Sequence, residues 1–269
     1  MKIALCFSGL MRDVSETKNF WLELIKKYDI DVYASFWDTE NDELGDTFEN
    51  FKSIYNPKKF EVENYKVFKQ TTQDLVSMHV EPPKSLPLHL QYSVKDSWFV
   101  PMWYKIWKCN MLSKVDGIEY DLVIRARVDT VLDESFELIQ NDMLNVPMGN
   151  NRANWEGSDG INDCFAYGTP KIMDYYSFIF LQMMEYLKDG HYLFPPEHFL
   201  SVHFSKVHIP IRQFESYMII TRVSKGTENE IYNLFVKNPH ELIVWSDANP
   251  FIPHHSGNFK SDISDKFIV

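Results

Sequence analysis

Residues 2–13, KIALCFSGLMRD, decide how the chain begins to fold. After Lys2 the run through Ser8 is almost wholly apolar, the composition of a strand buried on both faces. Gly9 permits a turn. Asp13 to Glu16 resembles a capping box, with Asp in place of Ser or Thr. Phe20, Trp21, Leu24, Ile25 and Tyr28 then repeat at helical spacing. Residues 30–37, IDVYASFW, read as a second strand closed by Asp38. Strand, helix and strand in this order point to an α/β fold with a mainly parallel central sheet.

Outward from that start, residues 39–100 carry an acidic loop, a short helix near Phe48 to Ile54, and prolines at 82, 83 and 87. Few apolar positions are periodic there, which predicts a mobile loop over a cleft. Pro101 opens a helix with Trp103, Ile106, Trp107 and Met111 on one face. After a polar loop at 150–160, DCFAY at 163–167 reads as a short strand. Thr169 and Pro170 are a good cap and first residue for a long amphipathic helix. A further helix starts at Pro195–Pro196–Glu197, with strands near 209–212 and 217–223. The chain shows no internal repeat.

The 269 residues carry 27 basic and 38 acidic side chains, a net charge of −11. That balance argues against a general nucleic-acid binder, which needs a basic face. Cys6, Cys109 and Cys164 are odd in number and lack CxxC spacing, so a disulfide framework is not expected and a reducing, cytoplasmic compartment fits. No segment reaches transmembrane length.

The charged positions that ask for a reason lie in YDLVIRARVDTVL, residues 120–132. Read as one strand, it places Arg125, Arg127 and Asp129 on one face and Leu122, Ile124, Ala126 and Val128 on the other. Ligands of open parallel sheets bind beyond the carboxyl ends of strands, where Asp129 stands. A carboxylate there suits a divalent metal that keeps other sites for water and phosphate oxygens. The arginines suit a diphosphate, or an ion pair with a neighbouring carboxylate. An internal ion-pair network is the structural alternative. In the first turn, Gly9 lets the backbone approach a ligand and Arg12 can reach a phosphate. Asp38 can accept from a ribose or base, and Trp37 suits a core position. Lys105 can offset phosphate charge, with a solvated helix face as its alternative. His254 and His255 are adjacent on an extended segment, which points them apart and argues against a joint metal site.

The strand ending in a short acidic motif resembles the metal-binding motif of GT-A-fold glycosyltransferases, with Arg127-Val128-Asp129 in place of Asp-x-Asp. KIALCFSGLMRD, DVYASFWDT, MWYKIWKCNML, YDLVIRARVDTVL and INDCFAYGTPKIMDYY together resemble, in order, a loosely defined group of these enzymes from polysaccharide gene clusters and large DNA viruses. The resemblance implies a GT-A-like single domain, with a nucleotide-sugar-binding half over residues 1 to about 132 and an acceptor half over about 133–269. It implies a nucleotide-diphosphate-sugar donor, a glycan or other hydroxyl acceptor, and Mn2+ or Mg2+ at Asp129. Ser8, Gly9, Arg12, Asp38, Lys105, Arg125, Arg127 and Asp129 become donor-binding candidates. Asp163, on the floor of the acceptor pocket, and Glu197, in a P-E-x-x-L pattern at 196–200, become candidates for the base. Two other readings stand beside this one: a binding module of the same fold without turnover, supported by the absent first aspartate, and a nucleotidyltransferase, which CFSGLMRD matches poorly.

Overall fold

The computed structural model describes residues 1–39, 46–71, 99–133, 136–147, 160–189, 196–214, 216 and 218–220. Most of the expected mobile loop (40–45 and 72–98), the polar loop at 150–159, and His254 and His255 lie outside the described residues.

β1 (Lys2–Gly9) is the hub. Its side chains alternate between two cores. Ile3, Leu5 and Phe7 enter one with Trp21 and Phe51; Ala4 and Cys6 enter the other with Trp103 and Cys109. A strand covered on both faces has to be apolar throughout, which is what the opening run supplies. α1 (Val14–Lys27) returns the chain to β2 (Asp29–Trp37), parallel to β1 with Ile3 beside Ile30. α2 (Phe48–Tyr55) leads to β3 (Lys59–Glu63), parallel to β2. α3 (Tyr65–Thr71) and α4 (Phe99–Leu112) precede β4 (Leu122–Ala126), which pairs in parallel with the free side of β1.

After β5 (Thr130–Leu132) come β6 (Leu144–Pro147), β7 (Phe165–Gly168), α5 (Pro170–Lys188), α6 (Pro196–Ser205), β8 (Ile211–Phe214) and β9 (Met218–Ile220). Among the described residues the main sheet has seven strands, in the order β3-β2-β1-β4-β7-β6-β8. Only β7 runs against its neighbours. The expected α/β class with a mainly parallel sheet flanked by helices is therefore observed. The order runs outward from β1 in two directions. The boundary between β1 and β4 is thus a topological switch point, and ligands of open α/β sheets bind beyond the strands' carboxyl ends at such points.

Three local expectations need correction. The stretch 120–132 is not one strand: the main sheet keeps Leu122–Ala126, a turn closes where the Thr130 amide donates to the Arg127 carbonyl at 3.2 Å, and β5 pairs antiparallel with β9 in a separate two-stranded sheet. Arg125 therefore does not share a strand face with Arg127 and Asp129. Asp13 does not cap α1 with its side chain. It adopts a left-handed conformation (φ 54°), and the amides of Asp13 and Val14 donate instead to the buried Asp46 carboxylate, at 2.8 and 2.9 Å. On α4, Trp103 and Ile106 are buried as expected, but Met111 is exposed and Lys105 is buried in its place.

Candidate functional site

Two turns meet at the switch point. Gly9 ends β1 with φ +112°, a conformation closed to side-chain-bearing residues, and the space where a Cβ would sit is open. Three residues on, Arg12 reaches across to the turn after β4, where its Nε donates to Asp129 Oδ2 at 2.6 Å. From the same turn, Arg127 donates from Nε to Asp129 Oδ1 at 2.8 Å and from Nη2 to Oδ2 at 2.6 Å. This fork geometry is the strong, directional form of a charge-assisted hydrogen bond. Asp129 is 1% exposed, whereas Arg127 is 17% and Arg12 34% exposed. Burial disfavours charge on Arg127, and the adjacent Asp129 more than offsets it, so the Arg127 pKa lies above its ordinary value. The Thr17 hydroxyl pins the β4 turn to α1 by donating to the Val128 carbonyl at 2.7 Å. Behind the clamp, burial pushes the Asp46 carboxyl above its usual range, against the pull of its two backbone donors.

The donor set does not fit a divalent cation at Asp129 as arranged. Both carboxylate oxygens already accept from guanidinium groups, and those two positive charges flank the place a cation would take. Among the described residues no group of three His, Cys, Asp or Glu side chains is disposed to hold a metal.

Asp163 lies beside the clamp because β7 runs antiparallel to β4. Its start therefore faces the carboxyl end of β4, with Phe165 opposite Ala126. Asn162 Oδ1 accepts from the amides of Cys164 and Phe165, at 2.9 and 3.2 Å, and so fixes the bend that carries Asp163. The Arg127 amide donates to the Cys164 carbonyl at 3.1 Å, and Asp163 adds to the charge stabilisation of Arg127. Arg125 is buried on the other side of the strand, where it donates to the Asp163 carbonyl. Glu197, in the first turn of α6, is buried, and its carbonyl accepts from the Ile161 amide at 3.0 Å. Asp163, Arg125 and Glu197 all act on the buried Tyr176 hydroxyl, whose pKa rises chiefly through burial. Burial, with Asp163 second, pushes the Cys164 thiol up to about 12, so it is no nucleophile near neutral pH.

The remaining donor-binding candidates occupy other environments. Ser8 is buried next to Gly9, in register with Ser35 of β2. Lys105 is not on a solvated face: its Nζ donates to Glu63 Oε2 at 2.7 Å and lies 4.4 Å from the centre of the Trp37 ring. Asp38 accepts from the Tyr65 amide at 2.8 Å, at the start of α3. Trp37 is a core residue, stacked near Tyr104 and Phe68. The clamp thus unites Gly9, Arg12, Arg127 and Asp129, with Asp163 beside it, and leaves Lys105 and Asp38 in separate pairings. Asp46 and Tyr176 were missed. Asp46 acts on residues 32 and 33 positions earlier, and Tyr176 reads only as an apolar position of its helix.

No protein-family model matches the chain, and no curated protein matches it. Among solved structures it is similar to a glycosyltransferase involved in the glycosylation of the major capsid of PBCV-1, at 11% identity, with 80% of this chain and 82% of that chain covered and a TM-score of 0.39. A likeness at that level decides nothing about function. No helix among the described residues is long and apolar enough to cross a membrane.

Proposed function

We propose that the chain is a glycosyltransferase that moves a sugar from a nucleotide-diphosphate sugar to a hydroxyl acceptor such as a glycan. The observation that carries this is the pair of part-exposed arginine side chains, Arg12 and Arg127, held at the switch point between β1 and β4. In the reaction the acceptor oxygen attacks the anomeric carbon, the carbon–phosphate-oxygen bond breaks, and its electron pair leaves on the diphosphate. Arg12 and Arg127 offset the negative charge that grows there. Gly9 gives the donor backbone access. The acceptor proton passes to a carboxylate, and Asp163 is better placed than Glu197 because it lies beside Arg127. Residues to about 132 then serve the donor and later residues the acceptor.

A screen of nucleotide sugars tests this. A true donor stabilises the native state by mass action, about 2.7 kcal/mol at a hundredfold excess over Kd. Release of free nucleoside diphosphate should follow, and should fall about 100-fold or more per folded molecule in Asp163→Asn. If no nucleotide sugar shifts the melting temperature, the reading is wrong. A second reading, binding without turnover, draws on the burial of Asp129 and Asp163; a stabilising donor that is never cleaved would select it.

A further inference from the structure

Asp129 is a buried carboxylate gripped by two guanidinium groups, one on each side of the switch point, and both are more exposed than it is. A carboxylate held in an arginine fork has the charge and the acceptor spacing of a phosphate. Two flanking positive charges make its oxygens poor ligands for a cation. We propose that Asp129 is an internal stand-in for phosphate. It holds Arg12 and Arg127 ready in the ligand-free protein and yields them, in part, to a diphosphate that binds without a metal ion.

This rests on the proposed donor site but is narrower: it names the diphosphate as the recognised group and assigns Asp129 the role of a competing anion. A metal ligand and a competitor predict opposite signs. If Asp129 held a metal, its loss would weaken diphosphate binding. If it competes, its loss frees both guanidinium groups and strengthens binding. Neighbouring features suit an anion. Nothing lies within 4 Å of where a Gly9 Cβ would sit, and the Arg12 and Arg127 side chains are both partly exposed. Of the acids near the clamp, Asp46 already has its two oxygens on the amides of Asp13 and Val14, and Asp163 accepts from the Cys164 thiol.

The test is calorimetric titration of the full chain with inorganic pyrophosphate, in EDTA and again with Mn2+. Binding in EDTA should equal binding with Mn2+ to within about threefold, since charge-assisted hydrogen bonds to arginine supply the affinity. Asp129→Asn should bind pyrophosphate about tenfold more tightly in EDTA, and Arg12→Gln about tenfold more weakly. Wild-type binding that vanishes in EDTA overturns the proposal, as does weaker binding by folded Asp129→Asn. If Asp129→Asn does not fold, Arg12→Gln decides alone, because wild-type affinity in that variant also overturns it. Metal-free pyrophosphate binding with no nucleotide sugar ever cleaved would sink the transferase reading and leave this inference standing. Mn2+-dependent binding with sugar transfer would do the reverse.

Discussion

Among the described residues, two ion-pair sites with one sealed member have opposite polarity. At the switch point the sealed member is the anion, Asp129, and the outward members are Arg12 and Arg127. Between α4 and β3 the sealed member is the cation, Lys105, 0% exposed, and the outward member is Glu63, 31% exposed. In a chain of net charge −11, the first arrangement offers positive charge at the switch point and the second adds a carboxylate to an already acidic exterior. Burial of an ion pair is therefore not in itself a mark of function. Which partner is left facing water decides what the pair can do.

The largest test of that contrast is a pair of stability measurements. Removing an outward partner strands the sealed charge, whereas removing the sealed charge leaves partners that water can reach. Glu63→Gln should cost about 3–5 kcal/mol in chemical denaturation, because the buried Lys105 loses its hydrogen-bonded carboxylate. Asp129→Asn should cost less, about 1–3 kcal/mol, although it breaks more hydrogen bonds. Equal losses would erase the distinction between the two sites.

A buried titratable group without a counter-ion sharpens the comparison. His203 is fully buried between α5 and α6, stacked on Tyr175, with its ring nitrogens 2.7 Å from the Tyr175 carbonyl and the Tyr186 hydroxyl. Burial lowers its pKa to about 4. The unfolded chain therefore takes up the proton first as pH falls. Stability should be complete above about pH 6.5 and fall between there and pH 4, by on the order of 3 kcal/mol. His203→Gln should flatten that part of the profile. An unchanged acid limb in this variant would assign acid sensitivity to the carboxylates instead.

The smallest expected effect is Lys105→Met. It removes the sealed cation, keeps most of the volume and leaves Glu63 half in water, so stability should change by no more than about 1 kcal/mol. A loss as large as that of Glu63→Gln would show that Lys105 holds more than its ion pair.

The parts that were legible in the sequence depend on near neighbours along the chain. β1, α1 and β2 read correctly because apolar periodicity reports burial directly, and α5 because Thr169 and Pro170 mark its start. Arg12, Arg127 and Asp129 could be selected as residue types at a sheet edge. The Arg127–Asp129 pairing was among the readings the sequence offered, whereas the grip of Arg12 on Asp129 was not, because it joins turns 117 positions apart. The break within 120–132 was hidden because Thr130–Leu132 has strand composition whichever sheet receives it, and its partner is Met218–Ile220. Lys105 sits two residues from Trp103 on a helix, where spacing alone predicts water, and only the position of β3 explains its burial. Asp46 escaped for the same reason: a capping motif is sought within four residues, and this cap arrives from a later loop.

Gly9 has a consequence for the range of sequences the fold admits. At Gly168 an added Cβ would meet Ile172 Cγ2 at 3.0 Å and the Met143 carbonyl oxygen at 3.1 Å, so the penalty there is steric and grows with side-chain volume. At Gly9 nothing lies within 4 Å, and only the φ of +112° stands in the way. A saturation scan of the first turn should therefore show a flat penalty, as severe for alanine as for tryptophan. The end of β1 leaves a side chain's space empty, and the backbone there keeps every side chain out of it.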